Sequence, residues 1–186
     1  MKNIFITLFT LLLFSCTNEK GKNNSVETTP EKTNELAQIT EPVNQTLDEL
    51  GASLILHLKN NDFEKFTELL PVTEDVEQIA MNYTGPEEKK KKILLSMQDK
   101  VKEIMINSKT GFDEVFNSAL KEGVVWNDVN FSHVEYDIKK KDNIERASMT
   151  IFFVYSNLNY KIYIGESVNS QRGWLVTQNP EWGKLD

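Results

Sequence analysis

The chain has a single cysteine, Cys16, so no disulfide can close within it and no cysteine cluster can hold a metal. Histidine is nearly as scarce. A metal site would have to combine His57 and His133, which are 76 positions apart, with acids, and Asp142, Asn143 and Glu145 lack the rest of a calcium-binding loop. HExxH, the nucleophile elbow, the Walker loop and the dinucleotide fingerprint do not occur. No cofactor or metal is therefore expected. There is no repeat at a fixed period, and no apolar run long enough to cross a bilayer core of about 30 Å. Basic residues are outnumbered, 21 against 28 acidic ones, which argues against nucleic acid and against anionic lipid as partners.

What is present begins at the N-terminus. Lys2 precedes an apolar run of eleven residues, 4–14, the length of a signal-peptide core rather than of a membrane span. The run ends in Leu13-Phe14-Ser15-Cys16, which resembles the bacterial lipobox: an aliphatic residue three before the cysteine, a small one directly before it, then the cysteine. That resemblance implies that residues 1–15 are removed and that Cys16 carries acyl chains as the new N-terminus. Several such chains anchor stably where one holds only marginally. Thr17 rather than Asp follows Cys16, which points to the outer membrane rather than retention at the inner one. Losing residues 1–15 removes one lysine and no acid, so the net charge passes from −7 to −8.

Residues 16–41 are rich in Asn, Thr, Glu, Lys and Ser and poor in aliphatics, too little to offset the entropy of ordering. They read as a polar tether with a reach on the order of 25 to 30 Å. Residues 42–186 read as one domain. Val43, Leu47, Leu50, Leu54 and Leu58 recur at helical spacing, with Pro42 suited to a first turn and Gly51 to close packing. Asn60-Asn61-Asp62 breaks and recaps the chain before a short helix over Phe63, Phe66, Leu69 and Leu70 that ends at Pro71. A third helix follows Thr73. The capping-box spacing in Thr84-Gly85-Pro86-Glu87 predicts a long helix over residues 86–107, with Ile93, Leu94, Met97, Val101, Ile104 and Met105 facing inward. Lysines 89–92 read as a solvated face paired with Glu87 and Glu88. A separate helix is expected over residues 110–122, capped by Gly123.

Beyond Gly123 the period changes to two. Residues 131–139 place Val134, Tyr136 and Ile138 on one face and His133, Glu135 and Asp137 on the other. Residues 145–155 alternate Ala147, Met149, Ile151, Phe153 and Tyr155 against Ser148, Thr150, Phe152 and Val154, apolar on both sides in the second half, as a central strand should be. Residues 160–168 and 173–178 complete an antiparallel meander of three or four strands, with residues 124–126 as a further possible edge. The expected class is α+β, with N-terminal helices packed on a C-terminal antiparallel sheet. The leading helix, the break Lys59-Asn60-Asn61-Asp62-Phe63-Glu64-Lys65-Phe66 and the strand Gly173-Trp174-Leu175-Val176 resemble the NTF2-like, cystatin-type folds of many small bacterial lipoproteins, over residues 43–178. The long helix from Pro86 departs from the simplest of these.

Two sets of side chains are candidates for chemistry. His133, Glu135 and Asp137, about 6.5 to 7 Å apart along one face of a strand, would suit a proton relay if that face lined a pocket, and are the polar side of an ordinary strand if it faces water. Trp126 and Trp182 fall outside the clearest strands, and exposed indoles suit ligand or partner contacts. Trp182 suits a latch holding the C-terminus better than an exposed contact. Three functions stay open: a lipid-anchored module binding a small ligand or an envelope protein, an acid-base enzyme using the His133 face, or a structural assembly subunit.

Overall fold

The computed structural model describes residues 44–184. The residues read as signal peptide, lipobox cysteine and polar tether, together with Pro42 and Val43, lie outside that range. The order is α1 (Leu47–Lys59), α2 (Phe63–Phe66) with a 3-10 turn (Thr67–Leu69), α3 (Thr73–Asn82), α4 (Glu87–Lys121), a 3-10 turn (Trp126–Asp128), then β1 (Asn130–Lys141), β2 (Ile144–Tyr155), β3 (Leu158–Ser170), β4 (Gly173–Val176) and β5 (Pro180–Lys184). The class is α+β, with the helices leading and an antiparallel sheet following.

Helix α1 starts later than the apolar spacing suggests. Thr46 accepts from the Glu49 amide at 3.1 Å, and the Glu49 carboxylate accepts from the Thr46 amide at 3.0 Å, so two amides of the helix start are satisfied reciprocally. Gly51 faces β1 so closely that an added Cβ would collide with the Val134 side chain. Asp62 caps α2 through the Lys65 amide.

The two helices expected over residues 86–107 and 110–122 are one, 35 residues long. No proline interrupts it. Thr110 bonds back to the Ile106 carbonyl, and Gly111 lets β5 approach, since a Cβ there would lie 2.6 Å from that of Asn179. The capping box expected at Thr84 does not form, because Pro86 is the N-cap and makes no side-chain bond. Full burial along α4 begins only at Ser108; of the six inward residues expected between Ile93 and Met105, Leu94 is exposed, while the other five are partly buried and Ile104 and Met105 pack against the main core. No ion pair joins Lys89–92 to Glu87 or Glu88 among the described residues.

The first two hairpins turn on Asp142-Asn143 and Ser156-Asn157, all four with positive φ between 48° and 64°, the two-residue type I′ geometry that fits the twist of the strands. They set the order β1-β2-β3-β4 and make β2 central. The polar C-terminal piece is a fifth strand. β5 pairs with the first half of β3, Ile162 opposite Trp182, while β4 pairs with its second half, Val168 opposite Leu175. Between them Thr177 and Gln178 both donate to the Glu166 carbonyl. Residues 124–126 form no strand; Val124 and Trp126 enter the core.

The sheet is covered on both sides, but unequally. Met149, Ile151, Phe153, Ile162 and Val176 belong to the main core with α1, α2 and the second half of α4. Ile144 and Leu175 point the other way by alternation, Val168 joins them through the register shift opposite Ala147 and Met149, and the three form a small second cluster with Ile79 of α3 and Tyr83 just after it. The inward row of β1 is buried only at Val134, while Tyr136 and Ile138 are 51% and 47% exposed. They lie beyond the reach of α1.

Candidate functional site

His133, Glu135 and Asp137 share the face of β1 turned away from the main core. Their side chains are 53%, 71% and 64% exposed. The His133 ring stacks on Phe152 of β2, with centroids 4.6 Å apart and planes 6° apart. Its Nδ1 lies 2.9 Å from the Ser132 hydroxyl and its Nε2 3.9 Å from Glu135. Asp137 pairs instead with Lys139 at 3.1 Å. The three are brought into a row; Glu135 and Asp137 border an open hollow of about 290 Å³ that His133 does not line, and water reaches all of them. Phe152 is thus partly covered by an imidazole rather than by a helix. His57 lies on α1 near Asp62, Glu68 and Lys65, and its partial burial lowers its pKa against the opposing pull of the two acids.

Both tryptophans belong to the core, so neither is the exposed contact that the sequence offered as a candidate, and Trp182 takes its other reading, the latch. Trp126 is buried, stacks between Phe116 and Phe153 and donates from Nε1 to the Phe116 carbonyl at 3.2 Å. Trp182 packs its half-buried ring on Trp126, Phe153 and Tyr160, and its Nε1 donates to Glu122 at 3.0 Å. Pairing of β5 with β3 carries this ring inward. Trp182 is a latch.

A hollow lined by described residues lies between α3, α4 and the broken edge of the sheet. It encloses about 530 Å³, with Val76, Ile79, Ile104 and Val168 as an apolar floor and Lys100, Glu103, Arg146 and Glu166 among its polar walls. That volume is of ligand-pocket size. Arg146 Nε stands 4.0 Å from Glu166 Oε2, beyond hydrogen-bond reach, and Thr177 donates to both the carbonyl and the carboxylate of Glu166. Lys100 and Glu103 pair at 2.7 Å on the opposite wall. Arg146 and Glu166 also border a second hollow of about 280 Å³ towards β1. A third, of about 210 Å³, lies at the β1–β2 turn. There Asn169 and Lys140 bond to Glu145 and hold its carboxyl below the usual carboxylate range.

Sequence reasoning did not single out Arg146 or Glu166. They are twenty positions apart and approach through the irregularity between β2 and β3, where register shifts between Ala147 and Met149. The only advance signal was a charge on the polar side of a strand whose other residues there are uncharged.

Among the described residues, no three His, Cys, Asp or Glu side chains are grouped to hold a metal, and no helix is long and apolar enough to cross a membrane. Compared with known proteins, the chain matches no family model, no curated sequence and no solved structure.

Proposed function

We propose that the chain is an envelope lipoprotein, anchored at the outer membrane through Cys16, whose domain is a binding module for a small ligand carrying both a carboxylate and an amine, in the groove between α3, α4 and the sheet. The anchoring rests on the lipobox-like Leu13-Phe14-Ser15-Cys16. The ligand class rests on one observation: Arg146 makes no side-chain hydrogen bond among the described residues and stands beside Glu166 over an apolar floor. A guanidinium presents a planar fork that takes a carboxylate bidentately. The Glu166 carboxylate beside it would take an ammonium. The NTF2-like resemblance fits a module of this kind. Binding is favoured over acid-base catalysis at His133 because that row is open to water, where a relay gains nothing from a low-dielectric pocket.

The test has two arms. Acyl labelling of the chain in a bacterial envelope should be lost in Cys16→Ala, and labelling that persists refutes the anchor. Calorimetric titration with a panel of free amino acids and dipeptides should show binding that Arg146→Gln weakens by at least about tenfold with folding unchanged. No binding to the wild-type chain, or binding indifferent to Arg146→Gln, refutes the ligand class.

A further inference from the structure

Strand β1 is an edge. Among the described residues it pairs only with β2, and twelve residues of edge strand offer a long template for another strand. The two-residue hairpin makes Lys141 and Ile144 a hydrogen-bonded pair, so residues 139, 137 and 135 also direct their backbone groups to β2. The amides and carbonyls of Tyr136, Ile138 and Lys140 therefore point outward along the free edge. On the side chains of this stretch the charges are ordered: acids at Glu135 and Asp137, then lysines at 139, 140 and 141.

We infer that two copies of this chain pair antiparallel through β1, about a two-fold axis at Ile138, to form one sheet continuous across both. In that register Ile138 meets the partner's Ile138, Tyr136 meets the partner's Lys140, Asp137 meets the partner's Lys139 and Glu135 meets the partner's Lys141. Every acid faces a lysine. An axis at Tyr136 would set Glu135 against the partner's Asp137, an axis at Asp137 two aspartates together, and an axis at Lys139 or Lys140 lysine against lysine. Opposite charges across a strand pair favour it and like charges oppose it.

Three further observations support the pairing. The outward backbone groups of Tyr136, Ile138 and Lys140 supply about six hydrogen bonds across the axis. Tyr136 and Ile138, left half-exposed beyond α1, gain an apolar neighbour and a lysine over the tyrosine ring, a favourable cation–π pairing. The Asp137–Lys139 pair within each strand, 3.1 Å apart, becomes half of a square of four alternating charges. Lysines on an edge strand commonly block pairing. Here acids on one side of Ile138, set at the same distances as the lysines on the other, reverse that effect for a second copy and keep it for other strands.

The experiment uses the full chain with Cys16→Ser, so that an introduced thiol is the only one. In a hydrogen-bonded antiparallel pair the Cα atoms are about 5.5 Å apart, within disulfide range. Under mild oxidation Ile138→Cys should give a cross-linked dimer and Tyr136→Cys should not, because the two Tyr136 positions lie four residues apart along the paired edges. Sedimentation should show concentration-dependent dimers that Asp137→Lys or Lys139→Asp weakens at least about tenfold and the two together restore. Three results overturn the inference: a monomer at every concentration, dimers indifferent to the charge changes, or slow amide exchange at Tyr136, Ile138 and Lys140 in a monomer. The last would place residues 17–43 of the same chain on the edge instead.

Discussion

Arg172 donates to the Asp75 carboxylate at 2.9 Å and to the Glu68 carbonyl at 2.7 Å. A residue of the β3–β4 turn thereby holds both the turn before α3 and the first turn of α3. Asp75 also accepts from the Val72 amide and the Ser170 hydroxyl. The two side chains are 14% and 4% exposed, so this is the most buried ion pair among the described residues, and it fixes α3 against the end of the sheet where the groove opens.

Removing either partner leaves a desolvated charge, which costs about 3 to 5 kcal/mol when a buried pair is broken. Asp75→Ala and Arg172→Ala should each lower stability by roughly that amount in urea denaturation. The double variant should lose less than the two together, by about 1 kcal/mol or more, as coupled neighbours do. Strict additivity would mean that the pair does not act as a unit.

Burial lowers the pKa of His57 below its ordinary value of 6.5, with Asp62 and Glu68 acting the other way. The unfolded chain then binds more protons than the folded one in the interval below 6.5, so the His57 contribution is complete above 6.5 and is lost as pH falls through the depressed folded value. The stability of His57→Gln relative to wild type should therefore improve as the medium is acidified across that interval. Parallel stability–pH curves for the two proteins would show that the burial around His57 has no thermodynamic effect.

Trp182 joins the last strand to the aromatic group of Trp126, Phe153 and Tyr160. Trp182→Ala should cost about 3 kcal/mol or somewhat more, the range for deleting a large aromatic from a core. Its partial exposure argues for the lower end. Amide exchange should accelerate first in β5, before β2 and β3. Uniform acceleration across the sheet would mean that the ring supports the whole core rather than latching the C-terminus.

Much of this fold was legible from residue order because the relevant interactions are local. The alternation Ala147, Met149, Ile151, Phe153 announces a strand buried on one side whatever lies opposite. Asp142-Asn143 and Ser156-Asn157 accept the positive φ that a tight hairpin needs, and Asp62 caps a helix with its own side chain. The class, the strand order and the central place of β2 follow from these features.

Other features depended on contacts between distant segments. Pro180-Glu181-Trp182 reads as polar coil until Ile162 and Ile164 stand opposite it. Ser108 and Lys109 read as a break between two helices until β5 packs against Gly111. Trp126 moved from candidate contact to core, and the latch was selected for Trp182, for the same cause, since isolated indoles carry no signal of what will cover them. The His133, Glu135 and Asp137 row was correctly placed on one face, but whether that face met a helix or water depended on α3 crossing only the far end of the sheet. The groove beside Arg146 and Glu166 exists because a register shift, a broken edge and two helices converge there. Period, capping and turn chemistry are properties of a few neighbouring residues, and the sequence states them directly; which surface covers which is settled by summed packing over the whole chain, and only the tertiary structure decided it.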